Sequence, residues 1–167
     1  MKFLPRFSES AGPANLLDLL PDVVVGVAEQ AFFAWAERCE SFETSQIAAT
    51  ASTAMSLLWL RARVDFTGER SGFMEVCLNT DLAGELGAVM LGETAGEDLP
   101  DALLKDVAGE LANMLCGSLL RRAGHAFQVK PPRTCVAEPP SSREGYTLFL
   151  VNDRLLLVKA DIHQEPV

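Results

Sequence analysis

From residue 58 the chain takes on a period of two: Leu58, Leu60, Ala62, Val64 and Phe66 alternate with Trp59, Arg61, Arg63 and Asp65. Successive strand side chains point to opposite faces, so this run predicts a strand with one buried face. Residues 67–72 predict a turn and 73–79 a second strand, making an antiparallel hairpin. Residues 146–151 and 154–162 predict another hairpin, turning at Asn152 and Asp153. Elsewhere the pattern is helical. Leu16 to Leu20 predict a short turn of helix that docks on the body. Pro21 and Asp22 open a helix running to about Glu40, because Pro suits a first turn and Asp the positive end of the helix dipole. The alanine content of 44–53 points to a shorter helix. Thr80 and Asp81 cap a helix through Leu91 that Gly92 ends. A long helix follows from about Pro100 to Ala123, closed by Gly124, with Arg121 and Arg122 at its negative end. Residues 127–130 read as a short strand and 131–143 as a loop rich in Pro and Ser.

Strands therefore come in adjacent antiparallel pairs instead of alternating with helices, which predicts an α+β fold: an antiparallel sheet packed with long helices. Each half carries a long helix ahead of strands, a hint of pseudo-repeated halves. A length of 167 residues fits one domain. We take 1–20 as a loose lead-in, 21–162 as the domain and 163–167 as a tail.

Charge narrows the partners. A net charge of −9, spread along the chain, repels phosphate backbones and anionic lipid surfaces, so neither nucleic acid nor a membrane is expected. The longest apolar run, 23–36, is interrupted by Glu29 and is shorter than the roughly 20 residues that cross a bilayer. Residues 1–12 hold no apolar core of signal-peptide length, and the protein is expected to be cytoplasmic. Cys39, Cys77, Cys116 and Cys135 lie far apart, with only His125 and His163 to complete a cluster. No metal site is expected, and the thiols are read as reduced, buried or half-buried small hydrophobes.

On the long helix, Asp106, Glu110, Asn113 and Gly117 fall at i, i+4, i+7 and i+11, within one narrow stripe. Leu104, Val107, Leu111, Met114 and Leu115 fill the neighbouring and opposite arc as a core side. Gly109 and Gly117 each cost about 1 kcal/mol in a helix interior relative to Ala, and they flatten the surface around the carboxylate and the amide. Spacing alone also fits the solvated side of an ordinary amphipathic helix.

Gly109-Glu110-Leu111-Ala112-Asn113-Met114, preceded by Asp106 and followed by Gly117, resembles the signature helix of the CheC/CheX/FliY chemotaxis phosphatases, whose pattern is roughly D/S-x3-E-x2-N. The resemblance runs back through residues 66–72 and 89–93, forward through 129–132, and covers about 21–162. It departs at two places. The family's proline beyond the asparagine is expected near Val136, where this chain has Pro131 and Pro132 earlier. A second site on the first helix, present in some relatives, meets Glu29-Gln30-Ala31-Phe32, with Phe in the asparagine's place, so a single site is implied.

The resemblance implies a phosphatase for the aspartyl phosphate of a CheY-like response regulator. Glu110 and Asn113 would be catalytic, with Asp106, Gly109 and Gly117 on the partner-binding surface. The chain would need no cofactor of its own, since Mg2+ would sit in the regulator's active site, and it would form a homodimer by joining sheet edges. A non-catalytic adaptor of the same fold, binding a regulator without dephosphorylating it, is the alternative reading. A third, a small-molecule sensor, would need Phe32, Phe33, Trp35 and Trp59 to line one pocket.

Overall fold

A computed structural model describes residues 15–39, 58–93, 99–124, 126–138 and 145–164. The expected helix at 44–53, part of the lead-in, residues 139–143 of the expected 131–143 loop and residues 165–167 lie outside the described residues. A 3-10 turn at Leu16–Leu19 leads directly into helix α1, Leu20–Phe32, with Pro21 in its first turn and Leu16 buried beneath it. The helix ends well before residue 40. Phe33 takes a left-handed conformation at φ 49°, and Ala34 N–H returns to Ala28 O at 3.0 Å, which closes the last turn and redirects the chain. Residues 36–38 then become strand β1, Ala36–Arg38. What stops the helix is a tertiary contact: Trp35 N–H donates to Asn152 Oδ1 at 3.0 Å, and Asn152 N–H donates to Trp35 O at 3.0 Å.

Strands β2, Trp59–Gly68, and β3, Arg70–Asn79, form the expected hairpin in a register that pairs Trp59 with Asn79 and Phe66 with Gly72. Both run further into the turn than alternation predicts, because their ends have other partners. Gly68 pairs with Phe127 of β4, Phe127–Val129, and Arg70 pairs with Gln164 of β7, Arg154–Gln164. Residues 133–137, expected as loop, form β5, Arg133–Ala137, which lies along β2 from Trp59 to Arg63. Completing the sheet is β6, Thr147–Val151, joined to β7 through Asn152 and Asp153, both at positive φ as the two-residue turn requires. The wholly antiparallel order is β1-β6-β7-β3-β2, with β4 and β5 sharing the far side of β2. Arg154, just after the hairpin turn, reaches Asp81 at 3.1 Å and Glu85 at 2.5 Å on the next helix.

That helix, α2, Thr80–Leu91, begins one residue before the expected cap: Asn79, buried, accepts the Leu82 N–H at 2.9 Å. Gly92 closes it at φ 68°. Helix α3, Asp101–Ala123, follows and is closed by Gly124 at φ 72°. The three helices among the described residues pack against the sheet face built from Leu60, Ala62, Val64 and Phe66 of β2 with Met74, Val76 and Leu78 of β3. Alternation read this face correctly, but not its edge, since Leu58 is exposed. Trp59, expected on the polar side, is buried on the opposite face with Cys77, Leu148, Leu155 and Leu157. Of the four thiols, Cys77 and Cys116 are buried, Cys39 is half-buried and Cys135 is exposed, against the expectation for that last residue.

Removing the buried cap with Asn79→Ala should lower stability by about 1 to 2 kcal/mol, read as an earlier urea midpoint at unchanged slope. A second prediction concerns alkaline pH. Burial pushes the Cys116 thiol up to about 12; burial also raises Cys77, and burial followed by the bond to Glu75 raises Tyr146. Each group ionises more easily unfolded than folded, so the associated stability is complete below about pH 8 and is lost as the pH climbs above it. The thermal midpoint should fall between about pH 8 and about pH 10.5.

Candidate functional site

Helix α3 lies over β2 and β3. Its buried arc runs through Leu104, Val107, Ala108, Leu111, Ala112, Leu115, Cys116, Leu119 and Leu120. Ala108 and Ala112, fully buried, let the backbone approach the sheet closely, so both the depth and the rotation of the helix are set by packing. At about 100° per residue, that rotation leaves one outward stripe carrying Asp106, Glu110, Asn113, Gly117 and Arg121. Asp106 and Arg121 are exposed, while Glu110, Asn113 and Gly117 are half-exposed. Glu110 and Asn113 stand one turn apart, with Cβ atoms about 5–6 Å from each other in such an i, i+3 pair. Among the described residues neither side chain has a hydrogen-bond or ion-pair partner. Both are free to meet a group from outside.

The two glycines have different surroundings. A Cβ at Gly117 would meet nothing within 4 Å, so this position is open space beside Asn113. Gly109 is buried on the flank of the stripe, where a Cβ would come within 3.2 Å of Pro132 Cγ and Thr134 Oγ1. Its lack of a side chain therefore seats the β4–β5 segment against α3 instead of flattening the open surface. This segment is where sequence reading fell short. Lys130 N–H still bonds Asp65 O at 2.8 Å, after which Pro131 and Pro132 interrupt pairing to β2 until β5 resumes it. The alternation of Thr134 and Val136 with Arg133 and Cys135 was the available signal; the neighbouring prolines masked it. On the opposite flank, α1 and the C-terminal half of α3 enclose a groove that sequence reading did not anticipate.

A carboxylate that can meet a cation, an amide that can hold a water, and an open approach to both suit binding to a charged partner and orientation of a small nucleophile. Thiol chemistry does not fit: Cys116 lies on the buried arc with its thiol held neutral by desolvation. Among the described residues no three His, Cys, Asp or Glu side chains converge as a metal site, and no helix is long and apolar enough to cross a membrane. The four aromatics of the sensor reading do not converge either. Phe32 is buried under the helices, Trp59 is buried on the other face of the sheet, and Phe33 and Trp35 are 85% and 53% exposed.

A search of curated protein sequences finds no significant match. Solved structures do match. CheX from Vibrio vulnificus superposes with a TM-score of 0.66 at 16% identity, covering 90% of this chain and 97% of that one. CheX from Desulfovibrio desulfuricans gives 0.61 at 17% identity, over 89% and 99%. The CheX chain of a CheX–CheY–BeF3–Mg2+ complex from Borrelia burgdorferi gives 0.57 at 12% identity, over 90% and 99%. At such identities these likenesses establish the fold. The family profile described as chemotaxis phosphatase CheX matches residues 60–148, more than half the chain and inclusive of the Glu110–Asn113 stripe. By that match and that fold, this chain belongs to the CheX family of chemotaxis phosphatases.

Proposed function

We propose that the chain hydrolyses the aspartyl phosphate of a CheY-like response regulator, with Asn113 orienting the water and Glu110 anchoring the partner. The observation that carries this reading is the pairing of Glu110 and Asn113 one turn apart on an outward stripe, both half-exposed and both without a partner among the described residues. The Borrelia relative is seen with CheY, BeF3 and Mg2+, a combination in which beryllofluoride occupies the place of a phosphoryl group. In the step itself, a water attacks phosphorus, the bond from phosphorus to the carboxylate oxygen breaks, and aspartate leaves. The water's protons pass to phosphate and solvent.

Catalysis of phosphoryl transfer is mostly positioning and charge stabilisation. An amide suits the first task, because it can accept from and donate to a water while staying neutral beside a dianionic phosphoryl group. A carboxylate beside that centre would be repelled unless it meets a cation, which gives Glu110 the role of pairing with the regulator's active-site lysine. The Mg2+ belongs to the phosphorylated substrate. Asp106, one turn before Glu110 and exposed, extends the contact surface. A homodimer joined at sheet edges belongs to the same reading, with β1 at one end of the strand order as a candidate edge.

Decay of acetyl-phosphate-labelled regulators tests the reading. Wild-type protein should accelerate decay, and Asn113→Ala should reduce kcat by at least about a hundredfold with regulator binding retained. Glu110→Ala should weaken binding and kcat together. Unchanged decay across a regulator panel, with binding intact, would leave the adaptor as the function. Gly117→Ala should stabilise the fold by up to about 1 kcal/mol, because its Cβ enters open space in a helix interior. If a partner backbone lies against that position, the same variant raises KM; a higher thermal midpoint with unaltered KM would remove Gly117 from the contact surface.

A further inference from the structure

The flank of α3 facing α1 holds a groove of about 390 Å³ that the catalytic pair does not use. Its walls include Val23, Gly26 and Val27 from α1 with Met114, Arg121 and Arg122 from α3. Two features set it apart. Among the described residues the charged ones lining it are two arginines, in a chain whose net charge is −9. Its α1 wall is lowered at Gly26, where a Cβ would meet nothing nearer than Gln30 Nε2 at 4.0 Å, so packing within the chain does not call for the glycine. A glycine in a helix interior costs about 1 kcal/mol relative to alanine, and here the result is a wider opening.

Position gives the groove its meaning. Met114 adjoins Asn113 in sequence, and Arg121 is two turns further on, about 12 Å along the helix axis. A folded partner that delivers a phosphoryl group to Asn113 must extend over this distance. A phosphorylation pocket that holds Mg2+ is built from carboxylates and carries phosphate besides, so the surface around it is acidic. Such a surface is repelled by the net charge of this chain, and Arg121 and Arg122 are exposed cations in the last turn of α3.

We propose that the groove between α1 and the C-terminal half of α3 is a docking surface for the regulator itself, receiving an apolar side chain and carboxylates from the rim of its phosphorylated pocket. The inference rests on the phosphatase reading for its choice of partner. In it, Ala31 and Met114, both half-buried, take the apolar side chain above the buried Val27, Arg121 and Arg122 pair with the carboxylates, and Gly26 makes room for the approach. Arg121 is already steadied by donating to Ser118 Oγ at 3.4 Å.

Two variants with different chemistry test it: Arg121→Glu/Arg122→Glu, which reverses the charge at exposed positions, and Gly26→Leu, which fills the groove. Affinity for a beryllofluoride-loaded regulator and the KM and kcat of dephosphorylation are measured for each against wild type. Both variants should raise Kd and KM on the order of tenfold with kcat unchanged, and the charge reversal should also flatten the salt dependence of Kd. Unaltered Kd and KM in both variants would overturn the proposal. So would a change in sedimentation with regulator affinity intact, which would make the groove a contact between two copies of this chain. A wild type that binds the regulator without hastening decay, with binding weakened in both variants, would sink the phosphatase reading and leave the docking surface standing. A wild type that binds no loaded regulator would overturn both.

Discussion

The structure depends on how α3 seats against the central hairpin. A 23-residue helix that buries Leu104 through Leu120 against β2 and β3 has no rotational freedom left. Ala108 and Ala112 bring it close to the sheet, and the leucines on either side lock the angle. Turning the helix by one residue, about 100°, would drive Glu110 toward the core and lift leucines into water. An unpaired buried carboxylate is costly enough to forbid that rotation. The core thus aims Glu110 and Asn113 outward, and among the described residues no hydrogen bond holds either side chain.

The same helix couples the site to two other parts of the fold. On one flank Gly109 admits Pro132 and Thr134, so the interrupted edge of the sheet borders the stripe. The strand beneath, β2, carries β3 on one side and both β4 and β5 on the other, and Asp65 on it pairs with Arg63 of the same strand and with Arg133 of β5. On the other flank α1 and the last turns of α3 form the arginine-bearing groove. The stripe lies between an edge shaped by prolines and a groove shaped by a glycine. This gives a narrow convex helix face with relief on each side.

Much of the fold was legible because its signals are local. The period of two over 58–66, the Asn152-Asp153 turn and the glycines at 92 and 124 each report a backbone state that neighbouring residues decide. The misreadings share one cause. The first helix was carried past residue 32 because nothing in its sequence reveals that Asn152, more than a hundred residues later, captures the Trp35 backbone. Residues 133–137 read as loop along the sequence because a strand at an edge needs its partner β2 to be recognised. Trp59 was assigned to the polar face because alternation cannot show that the second face carries a small apolar cluster too.

By itself the sequence determined the α+β class, the central hairpin, the long helix and the alignment of Asp106, Glu110, Asn113 and Gly117 on one stripe, since helical period and turn chemistry act over a few residues. Tertiary structure alone decided that Glu110 and Asn113 are half-exposed and without a partner among the described residues, that Gly109 is buried while Gly117 is open, and that α1 completes a groove beside them. Those outcomes depend on which elements come to rest against α3, and contacts between residues distant in the chain leave no periodic trace along it.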